Sequence, residues 1–441
     1  MFYNFLSTLL TIDLTLLFKN INIFIGDEKM LLQIPKSLKN LADILPENLY
    51  VVGGYNRNHF LGIKGEDIDL CSSIKVEELA KILEDTAFEV KIKNKFVGTA
   101  IITHGKEKFE YSTFRKEFYK EGGSHTPERV EFITSLEEDA KRRDFSCNAI
   151  YYDIKNDKFI DIYGGIEDIK NKVLKTIETP DFVFAHDGLR ILRLFRFECE
   201  LNFKIDKQTL VSAIKFSSNV RDISGERVIH EITCILHSGN RYAGYSKPKA
   251  YLRVFKQFNK YKLWPVFGID CAKVKLKMVK KVEHKSQGFL IDVVDTVKPI
   301  SISYYLNLIL SEHFGLNKKM ASQYINILSG YYDALNRLQN KDYFFKYFDN
   351  FPLIYKLLVH KSKYLANKYD FFYKYIISHK LIITVKDLKV SGEDIQKYYP
   401  TVKPYRYNAI LESLLSDVFE GKLDNDKKVL IKAIEQKLKY L

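Results

Sequence analysis

The chain has 441 residues and carries 69 lysines and arginines against 55 aspartates and glutamates, a formal net charge of +14. This length exceeds what one hydrophobic core usually organises, so two or more packed units are expected. With 46% hydrophobic and 28% charged residues, the composition excludes a disordered, collagen-like or disulfide-scaffold protein. The positive excess favours an anionic partner without identifying it.

The first 26 residues are unusually apolar, but Asp13 interrupts them and they lack a basic cluster and a small-residue cleavage site. We therefore predict neither an export signal nor a membrane span here. Residues 1–29 are interpreted as an appendage or an artefact of an upstream start, and the true start, Met1 or Met30, is left open. The five cysteines are scattered singly, which fits a reducing, cytoplasmic compartment.

Short strand patterns dominate the first part of the chain. Residues 49–53 (LYVVG) indicate a buried strand, and the following Gly-Gly permits a tight turn into a helix over 55–61. A helix is predicted from about Glu137, and the remaining strand patterns lie at 67–71, 96–103, 108–114, 149–153 and 159–163.

From about Asp181 onward helical patterns replace the strands, beginning with one predicted helix over 181–198. The predicted fold class is therefore α+β, with a small mixed sheet in an N-terminal head and an all-helical neck, body and tail. The predicted boundaries are a head over 30–165, a helical neck over 166–240 and a helical body and tail over 241–441.

Beyond Tyr242 the sequence is rich in lysine, tyrosine and phenylalanine, as in DYFFKYFDNFPLIYKLLVHKSKY (342–364). Lysines interleaved with aromatic residues can bind phosphates and stack on bases. The other interpretation is a helical body whose aromatic side chains form the core and whose lysines face solvent. The sequence alone favours this second interpretation.

Asp67 and Asp69 lie two residues apart in a strand pattern, so their carboxylates share a face and can bind the same divalent cations. Oxygen ligands of this kind suit Mg²⁺. The preceding Gly53-Gly54 turn lets backbone N–H groups approach a triphosphate. Each feature alone is common, but a strand, Gly-Gly, a helix and Asp-x-Asp in this order are considerably more specific.

The segment VVGGYNRNHFLGIKGEDIDL (51–70) resembles the first motif of the polymerase-β nucleotidyltransferase superfamily, and within it the class II family of tRNA nucleotidyltransferases and poly(A) polymerases. The resemblance extends over about 49–240 and departs from the family at Asn58 and His186, where Asp and Glu are usual. Four later blocks follow in that family's order: KRRDFSCNA (141–149), DIYGGIED (161–168), HDGLRILRLFRF (186–197) and SGERVIHE (224–231).

The resemblance implies roles for individual residues. Asp67 and Asp69 would hold two Mg²⁺ ions, and Glu110 would be a further catalytic carboxylate on the adjacent strand. Residues 115–129 occupy the place of the family's flexible loop. The residues expected to bind the nucleotide, ATP or CTP, are Gly53, Gly54, Arg57, Arg142, Arg143, Asp144, Asp187, Arg190, Arg193 and Arg196.

The spacing of Asp187 and Arg190 makes them neighbours on a helix, with one hydrogen-bond acceptor beside several donors. Cytosine and adenine each present an amino donor next to a ring-nitrogen acceptor, so this pair can read both bases. Guanine and uracil reverse that pattern and leave buried groups unpaired, at a cost of about 1–3 kcal/mol per group. In isolation the same spacing would indicate an ordinary surface ion pair.

The predicted function is template-independent addition of C, C and A to tRNA 3′ ends from CTP and ATP, with release of pyrophosphate. A poly(A) polymerase and enzymes that add only CC or only A share these motifs and remain alternatives. A catalytically silent RNA-binding protein is the alternative from another class. The expected partners are tRNA and nucleoside triphosphates, with no membrane, and the oligomeric state is left open.

Overall fold

The computed structural model describes residues 22–24 and 31–438, except 66, 121–122, 124, 243–244, 270, 300, 314–315 and 337–339. The predicted appendage 1–29 lies outside the described residues except at Asn22–Phe24. The chain forms two compact units, an N-terminal unit (Met1–Val274 with His313–Gly315) and a C-terminal unit (Lys275–Glu312 with Leu316–Leu441). The predicted boundaries at residues 165 and 240 both lie inside the N-terminal unit and stay predictions.

The described residues of the N-terminal unit form twelve short strands. They are β1 (Asn22–Phe24), β2 (Tyr50–Val52), β3 (Asp69–Ser72), β4 (Glu89–Asn94), β5 (Thr99–His104), β6 (Glu107–Thr113), β7 (Arg115–Phe118), β8 (Arg129–Phe132), β9 (Tyr151–Asp153), β10 (Lys158–Asp161), β11 (Val173–Leu174) and β12 (Lys204–Ile205). Eight of these form one sheet in the order β1-β10-β9-β2-β3-β6-β5-β4, while β7 pairs with β8 and β11 with β12.

Within the eight-stranded sheet, β3 and β6 run parallel and the other described neighbours run antiparallel. Ile68, just before β3, and Leu70, within it, are buried on one face of the sheet. The intervening Asp69 therefore faces the opposite side, since successive side chains of a strand alternate.

Several strand predictions need correction. The strand predicted over 67–71 begins at Asp69, which leaves Asp67 outside it. The strand predicted over 96–103 begins at Thr99, because residues 95–98 form a turn that Gly98 completes at φ +63°. The preceding strand β4 was missed, since it is a sheet edge whose side chains are largely exposed and whose lysines weaken the apolar pattern.

The helices of the N-terminal unit surround the sheet and continue beyond it. They are α1 (Lys36–Ile44), α2 (Gly54–Leu61), α3 (Val76–Ile82), α4 (Leu136–Lys141), α5 (Gly165–Asn171), α6 (Pro180–His186), α7 (Leu189–Leu201), α8 (Lys207–Lys215), α9 (Gly225–Leu236), α10 (Ser238–Arg241) and α11 (Tyr251–Tyr261). The buried α7 packs against α9, α10 and α11, so it is the central helix of this part of the unit.

The single helix predicted over 181–198 is wrong, because the chain breaks it at Asp187-Gly188 between α6 and α7. The side chain of Asn219 donates hydrogen bonds to the carbonyl oxygens of Phe184 and Ala185, at 3.0 and 3.2 Å, and so satisfies the end of α6. Gly188 lets the Asn219 backbone approach, since an added Cβ would lie 2.3 Å from its carbonyl oxygen.

The C-terminal unit is helical throughout its described residues. Its helices are α12 (Met278–Lys281), α13 (Lys285–Val297), α14 (Ile302–Asn307), α15 (Lys318–Leu335), α16 (Asn340–Tyr347), α17 (Phe351–Lys361), α18 (Lys363–Ser378), α19 (Gly392–Tyr398), α20 (Tyr407–Phe419) and α21 (Lys427–Leu438). The predicted α+β class, a mixed sheet followed by helices, is confirmed. Among the described helices, none combines the length and apolar character needed to cross a membrane.

Aromatic side chains form much of the core of the C-terminal unit. Tyr343, Phe344, Tyr347 and Phe351 are all buried to within 1% exposure, and Tyr343 and Phe344 both pack against Tyr369. For this segment the interpretation of the aromatics as core residues is confirmed. Three aromatic residues of α18, namely Tyr364, Phe371 and Tyr375, are instead exposed to solvent.

Candidate active site

A polar cavity of about 720 Å³ opens in the N-terminal unit between the head and the helices α7 and α9. Most of the residues predicted to bind nucleotide or metal line it. These are Gly53, Gly54, Arg57, Asp69, Arg142, Arg143, Asp144, Asp187, Arg190, Arg193 and Arg196. The other two predicted residues do not line the cavity: Asp67 lies two residues before Asp69, outside β3, and Glu110 lies in register with Asp69 on β6.

The Gly-Gly turn brings the backbone close to the first carboxylate. Gly53 has φ +84°, a left-handed conformation that favours glycine, and it immediately precedes α2. A Cβ added at Gly53 would lie 3.1 Å from Oδ2 of Asp69. The predicted turn is therefore present, and the glycine also leaves the space that the Asp69 carboxylate occupies.

Two further carboxylates, those of Glu110 and Asp67, lie near Asp69 at the start of β3. Asp69 lies in register with Glu110 on the parallel neighbour β6, so Glu110 is on the adjacent strand where the sequence placed it. Asp67 precedes β3 and is exposed. Burial, with smaller contributions from Glu110 and Asp67, raises the pKa of Asp69 to about 6, while Arg143 and Arg193 oppose the shift.

This arrangement fits a partial Mg²⁺ site. The described residues contain no ready-made group of three metal-binding side chains among His, Cys, Asp and Glu. Mg²⁺ is usually held by one or two protein carboxylates together with substrate phosphates and water. A half-buried carboxylate whose neighbours are also acidic is the kind of ligand that a cation stabilises. Asp69, with Asp67 and Glu110, therefore fits a site that a triphosphate completes.

The predicted Arg142-Arg143 pair forms a wall of the cavity, held from behind by Asp139. Asp139 is fully buried and accepts from Arg142 Nε at 2.7 Å and from Arg143 Nη2 at 3.2 Å. Tyr151 also donates its hydroxyl to Asp139, at 2.8 Å. Burial alone would raise the pKa of Asp139, but the two guanidiniums outweigh it and hold the pKa at about 2.

Asp139 was not among the predicted site residues. The available signal was its position three and four residues before two arginines, which are the helical neighbours of an acidic side chain. Glu117 was missed as well. It accepts from Arg115 Nε at 2.7 Å and from the hydroxyl of Tyr119 at 2.6 Å, and all three residues line the cavity.

The predicted Asp187–Arg190 pair is formed and buried. Arg190 Nε donates to Asp187 Oδ2 at 3.2 Å, and the exposed fractions of the two residues are 9% and 1%. The Leu189 backbone N–H donates to the other carboxylate oxygen at 2.9 Å. Asp187 Oδ2 also contacts Nδ1 of His125, at 2.8 Å. His125 belongs to the predicted flexible loop 115–129, which begins in β7, ends in β8 and includes residues 121–122 and 124 outside the description.

The next two arginines along α7 are held by buried carboxylates. Arg193 donates to Asp144 Oδ2 from Nε at 2.8 Å, and Asp144 also accepts from the side-chain amide of Asn148 at 2.9 Å. Burial opposes ionisation of Asp144, but Arg193 and Asn148 favour it and hold its pKa at about 2. Arg196 forms an ion pair with Glu231 on α9, at 2.8 Å.

Two family models match this chain. Residues 49–175 match "Poly A polymerase head domain", and residues 202–247 match "Probable RNA and SrmB- binding site of polymerase A". The chain is 28% identical over 430 residues to the CCA-adding enzyme of Ligilactobacillus salivarius (strain UCC118), covering 92% of this chain and 99% of that protein. It is 34% identical over 217 residues to the CCA-adding enzyme of Enterococcus faecalis (strain ATCC 700802 / V583), covering 48% and 52%.

Solved structures share the fold. The CCA-adding enzyme of Bacillus stearothermophilus in complex with CTP is 19% identical with a TM-score of 0.61, covering 94% of this chain and 99% of that one. The Thermotoga maritima CCA-adding enzyme complexed with tRNA is 18% identical with a TM-score of 0.51, covering 93% and 98%.

Residues 49–175 thus match a poly(A) polymerase head domain, and the chain is similar over 92% of its length to a CCA-adding enzyme. The predicted enzyme class, a nucleotidyltransferase, is thereby confirmed. The two departures from the family motifs can now be located in the structure.

Asn58 stands where this nucleotidyltransferase family usually has Asp. Its side-chain oxygen accepts from Arg57, at 3.3 Å from Nε and 3.0 Å from Nη2. Arg57 is 3% exposed and donates further to Asn148 at 2.5 Å and to the Tyr242 hydroxyl at 2.7 Å. Asn58 therefore keeps the contact with Arg57 as a neutral acceptor, and Tyr242 is a cavity residue that the sequence did not indicate.

His186 stands where the nucleotidyltransferase family usually has Glu. It ends α6, where its Nδ1–H donates to the Phe182 carbonyl oxygen at 2.8 Å and its ring packs on the Phe182 ring at 4.5 Å. His186 is not among the residues that line the cavity. In this chain the position therefore contributes no side-chain group to the cavity. Arg227, His230 and Glu200 do line it and were not predicted as nucleotide-binding residues.

Proposed function

We propose that this chain adds C, C and A in order to the 3′ ends of tRNA, using CTP and ATP, without a nucleic-acid template and with release of pyrophosphate. The observation that carries the proposal is one cavity in which Asp69 shares the space with an arginine wall and the buried Asp187–Arg190 pair. The relatives and solved structures reported above, which are CCA-adding enzymes, support it.

The carboxylates of Asp67, Asp69 and Glu110 would hold Mg²⁺, which when bound supplies charge neutralisation on the phosphates and activation of a hydroxyl group. The RNA 3′ hydroxyl releases its proton to solvent as its oxygen attacks the α-phosphorus. The bond from the α-phosphorus to the oxygen that bridges to the β-phosphate breaks, and pyrophosphate leaves with that electron pair. Removal of any one of the three carboxylates should weaken the Mg²⁺ site. The effect should be largest for Asp69, because it is the one of the three that lines the cavity.

The protein's own contribution is mainly positioning and fixed positive charge. Arg142 and Arg143 present guanidiniums that suit forked hydrogen bonds to phosphate or ribose oxygens. Because Asp139 already orients both side chains, little reorganisation is needed when a triphosphate enters. The Gly53-Gly54 backbone also lines the cavity, and without side chains it leaves room for the phosphates.

Base selection is assigned to the Asp187–Arg190 pair. A carboxylate that accepts and a guanidinium that donates match the amino group and ring nitrogen shared by cytosine and adenine. Both side chains are buried, so a base with the reversed pattern would leave polar groups unpaired. We expect UTP and GTP to be used about 10-fold to 100-fold less efficiently for each such group.

Poly(A) polymerases and enzymes that add only CC or only A would use the same cavity, so substrate tests must separate them. Purified protein is incubated with Mg²⁺ and one labelled nucleotide at a time. The acceptors are tRNA transcripts that end before CCA, after C and after CC, together with an unrelated RNA. Ordered C, C, A addition confined to tRNA is the expected result.

Each other outcome has a defined meaning. Long A tails on every RNA would identify a poly(A) polymerase, and addition of only C or only A would identify a partial-specificity enzyme. In parallel, Asp69→Asn should lose at least about 100-fold in rate. Asp85→Asn, which changes an exposed acid of the head away from the cavity, should retain wild-type activity. No incorporation by a folded wild-type protein would favour the silent RNA-binding alternative.

A further inference from the structure

The positive excess of the chain is concentrated in the C-terminal unit. Residues 275–441 contain 28 lysines and arginines and 17 aspartates and glutamates, which is +11 of the total +14. The N-terminal remainder is close to neutral even though it contains the arginine-lined cavity. The C-terminal unit is therefore the part of the molecule whose charge favours contact with a polyanion.

Helix α18 has aromatic residues on both its buried and its exposed sides. It packs into the unit through Ala366, Tyr369 and Ile376. On the exposed side, Tyr364 and Phe371 are 74% and 66% exposed. A helix with one buried stripe normally has a polar opposite face, so exposed rings at helical spacing are unusual.

The exposed residues follow one line along the helix. Tyr364, Lys368, Phe371 and Tyr375 are separated by four, three and four residues, the spacing that places side chains on one face. We call these four residues the α18 aromatic face. Tyr375 is 47% exposed, and one side of its ring stacks on His379 at a centroid distance of 4.0 Å.

We propose that the α18 aromatic face binds unpaired nucleotides of the tRNA by stacking their bases on Tyr364, Phe371 and Tyr375. Every base has a π-face, so such stacking tolerates different sequences, and a neighbouring lysine contacts the adjoining phosphate. The inference rests on the proposed function for the identity of the RNA. It goes beyond a basic surface that grips the backbone, because it assigns affinity to aromatic side chains.

Charge argues against a second copy of this chain as the occupant. The face carries Lys368 and is flanked by the exposed Lys363 and Lys374, within a unit of net charge +11. The acid within α18 itself, Asp370, is paired with Lys374 at 2.7 Å. Two copies would therefore bring like charges together, whereas RNA supplies phosphates for the lysines and bases for the rings.

The test measures dissociation constants for tRNA lacking CCA across a series of salt concentrations, with full-length wild type, Tyr364→Ala, Phe371→Ala and Lys368→Gln. Each aromatic substitution should weaken binding about 5-fold or more without changing the salt slope. Lys368→Gln should instead reduce the slope by about 1. Phe371→Trp should restore the binding that Phe371→Ala loses, since it keeps a stacking surface.

Controls separate stacking from general damage. Tyr304→Ala removes a 70% exposed tyrosine from α14 in the same unit and should bind as wild type does. A blunt RNA duplex, which has no unpaired bases, should bind the aromatic variants and wild type equally. The KM for CTP should not change in any of these variants, because the cavity residues all lie in the N-terminal unit.

Two results would overturn the inference. One is an unchanged dissociation constant in both aromatic variants. The other is a wild-type dimer in sedimentation that Tyr364→Ala or Phe371→Ala dissociates, which would make the face a contact between copies. Failure of the proposed function gives a different result, because wild type would then bind RNA, with the same variant effects, but add no nucleotide to tRNA.

Discussion

Asp139 lies behind the cavity and contacts the guanidiniums of both Arg142 and Arg143. Two adjacent guanidiniums repel each other, so a shared carboxylate both neutralises and orients them. Tyr151 donates to Asp139 and accepts from Arg143 Nε at 2.9 Å, which completes a small network. Asp139 and Tyr151 therefore act by fixing the positions of the two arginine side chains rather than by binding the substrate.

We predict that Asp139→Asn lowers kcat/KM for CTP about 10-fold to 100-fold, because a charge-assisted hydrogen bond to a buried arginine is replaced by a neutral one. Steady-state kinetics with saturating tRNA measures the change, and the melting temperature shows whether the variant is folded. Tyr151→Phe keeps the charge and removes one hydroxyl, so its loss should be smaller. A folded Asp139→Asn protein with wild-type kcat/KM would show that Asp139 does not position the arginines.

The break between α6 and α7 positions the base-reading pair. Asp187 is extended at the end of α6, with φ −149°, and Gly188 begins the next helix. The Gly188 N–H donates to the carbonyl oxygen of Gly123 at 3.0 Å, which joins the break to the segment before His125. The break turns Asp187 toward both Arg190 and His125 rather than along one helix face.

We expect Gly188→Ala to destabilise the protein by about 1–3 kcal/mol, because its Cβ would lie 2.3 Å from the Asn219 carbonyl oxygen. Thermal unfolding measures this. Gly239→Ala is the matched control, since its Cβ would meet no atom within 4 Å in α10, and it should be neutral or slightly stabilising. Equal melting temperatures for the two variants would contradict the close-approach argument.

The Asp144–Arg193 ion pair links the head to α7 and should make stability depend on acid. The folded-state pKa of Asp144 is held at about 2, below its ordinary value of 3.8. A depressed carboxyl pKa contributes stability above the unfolded-state value, and that contribution disappears as pH falls from about 4 through about 2.

Asp144→Asn should therefore reduce the free energy of unfolding at pH 7 by about 2 kcal/mol. The difference between wild type and variant should shrink as pH falls from 4 toward 2, because protonation removes the same charge from wild type. Urea unfolding at several pH values measures it. A difference that stays constant down to pH 2.5 would show that the ion pair contributes no net stability.

At the scale of the whole molecule, the two units differ in charge and in content. The N-terminal unit contains the cavity, whereas the C-terminal unit carries +11 of the +14 net charge. A small charged nucleotide and a long polyanion should consequently depend on different parts of the chain. Salt is the variable that distinguishes them, since each phosphate contact with RNA releases counterions on binding.

Raising monovalent salt from 50 to 200 mM should weaken tRNA binding about tenfold or more, provided that three or more phosphates are contacted. The KM for CTP at saturating tRNA should change much less, because several charged groups of the cavity, among them Arg57, Asp187 and Arg190, are buried and less screened. Filter binding and initial rates measure the two quantities. A similar salt dependence for both would contradict a division of labour between the units.

Features formed by residues close in the chain were predictable. The Gly53-Gly54 turn before Asp69, the Arg142-Arg143-Asp144 block and the Asp187–Arg190 neighbours depend on local backbone geometry, which short patterns report. The order of a strand-rich head and helical remainder was predictable for the same reason. The register of Glu110 with Asp69 followed from the likeness to a family rather than from any pattern in this chain.

The sequence by itself determined the chemistry of the site and the local turns that display it, because backbone preference and side-chain type act within a few residues. Only the tertiary structure decided which distant groups hold that chemistry in place. Tyr242 contacts Arg57 across 185 positions, and Asn219 ends α6 from 34 positions away. Such contacts depend on how packed elements meet, and no periodicity in the sequence reports that.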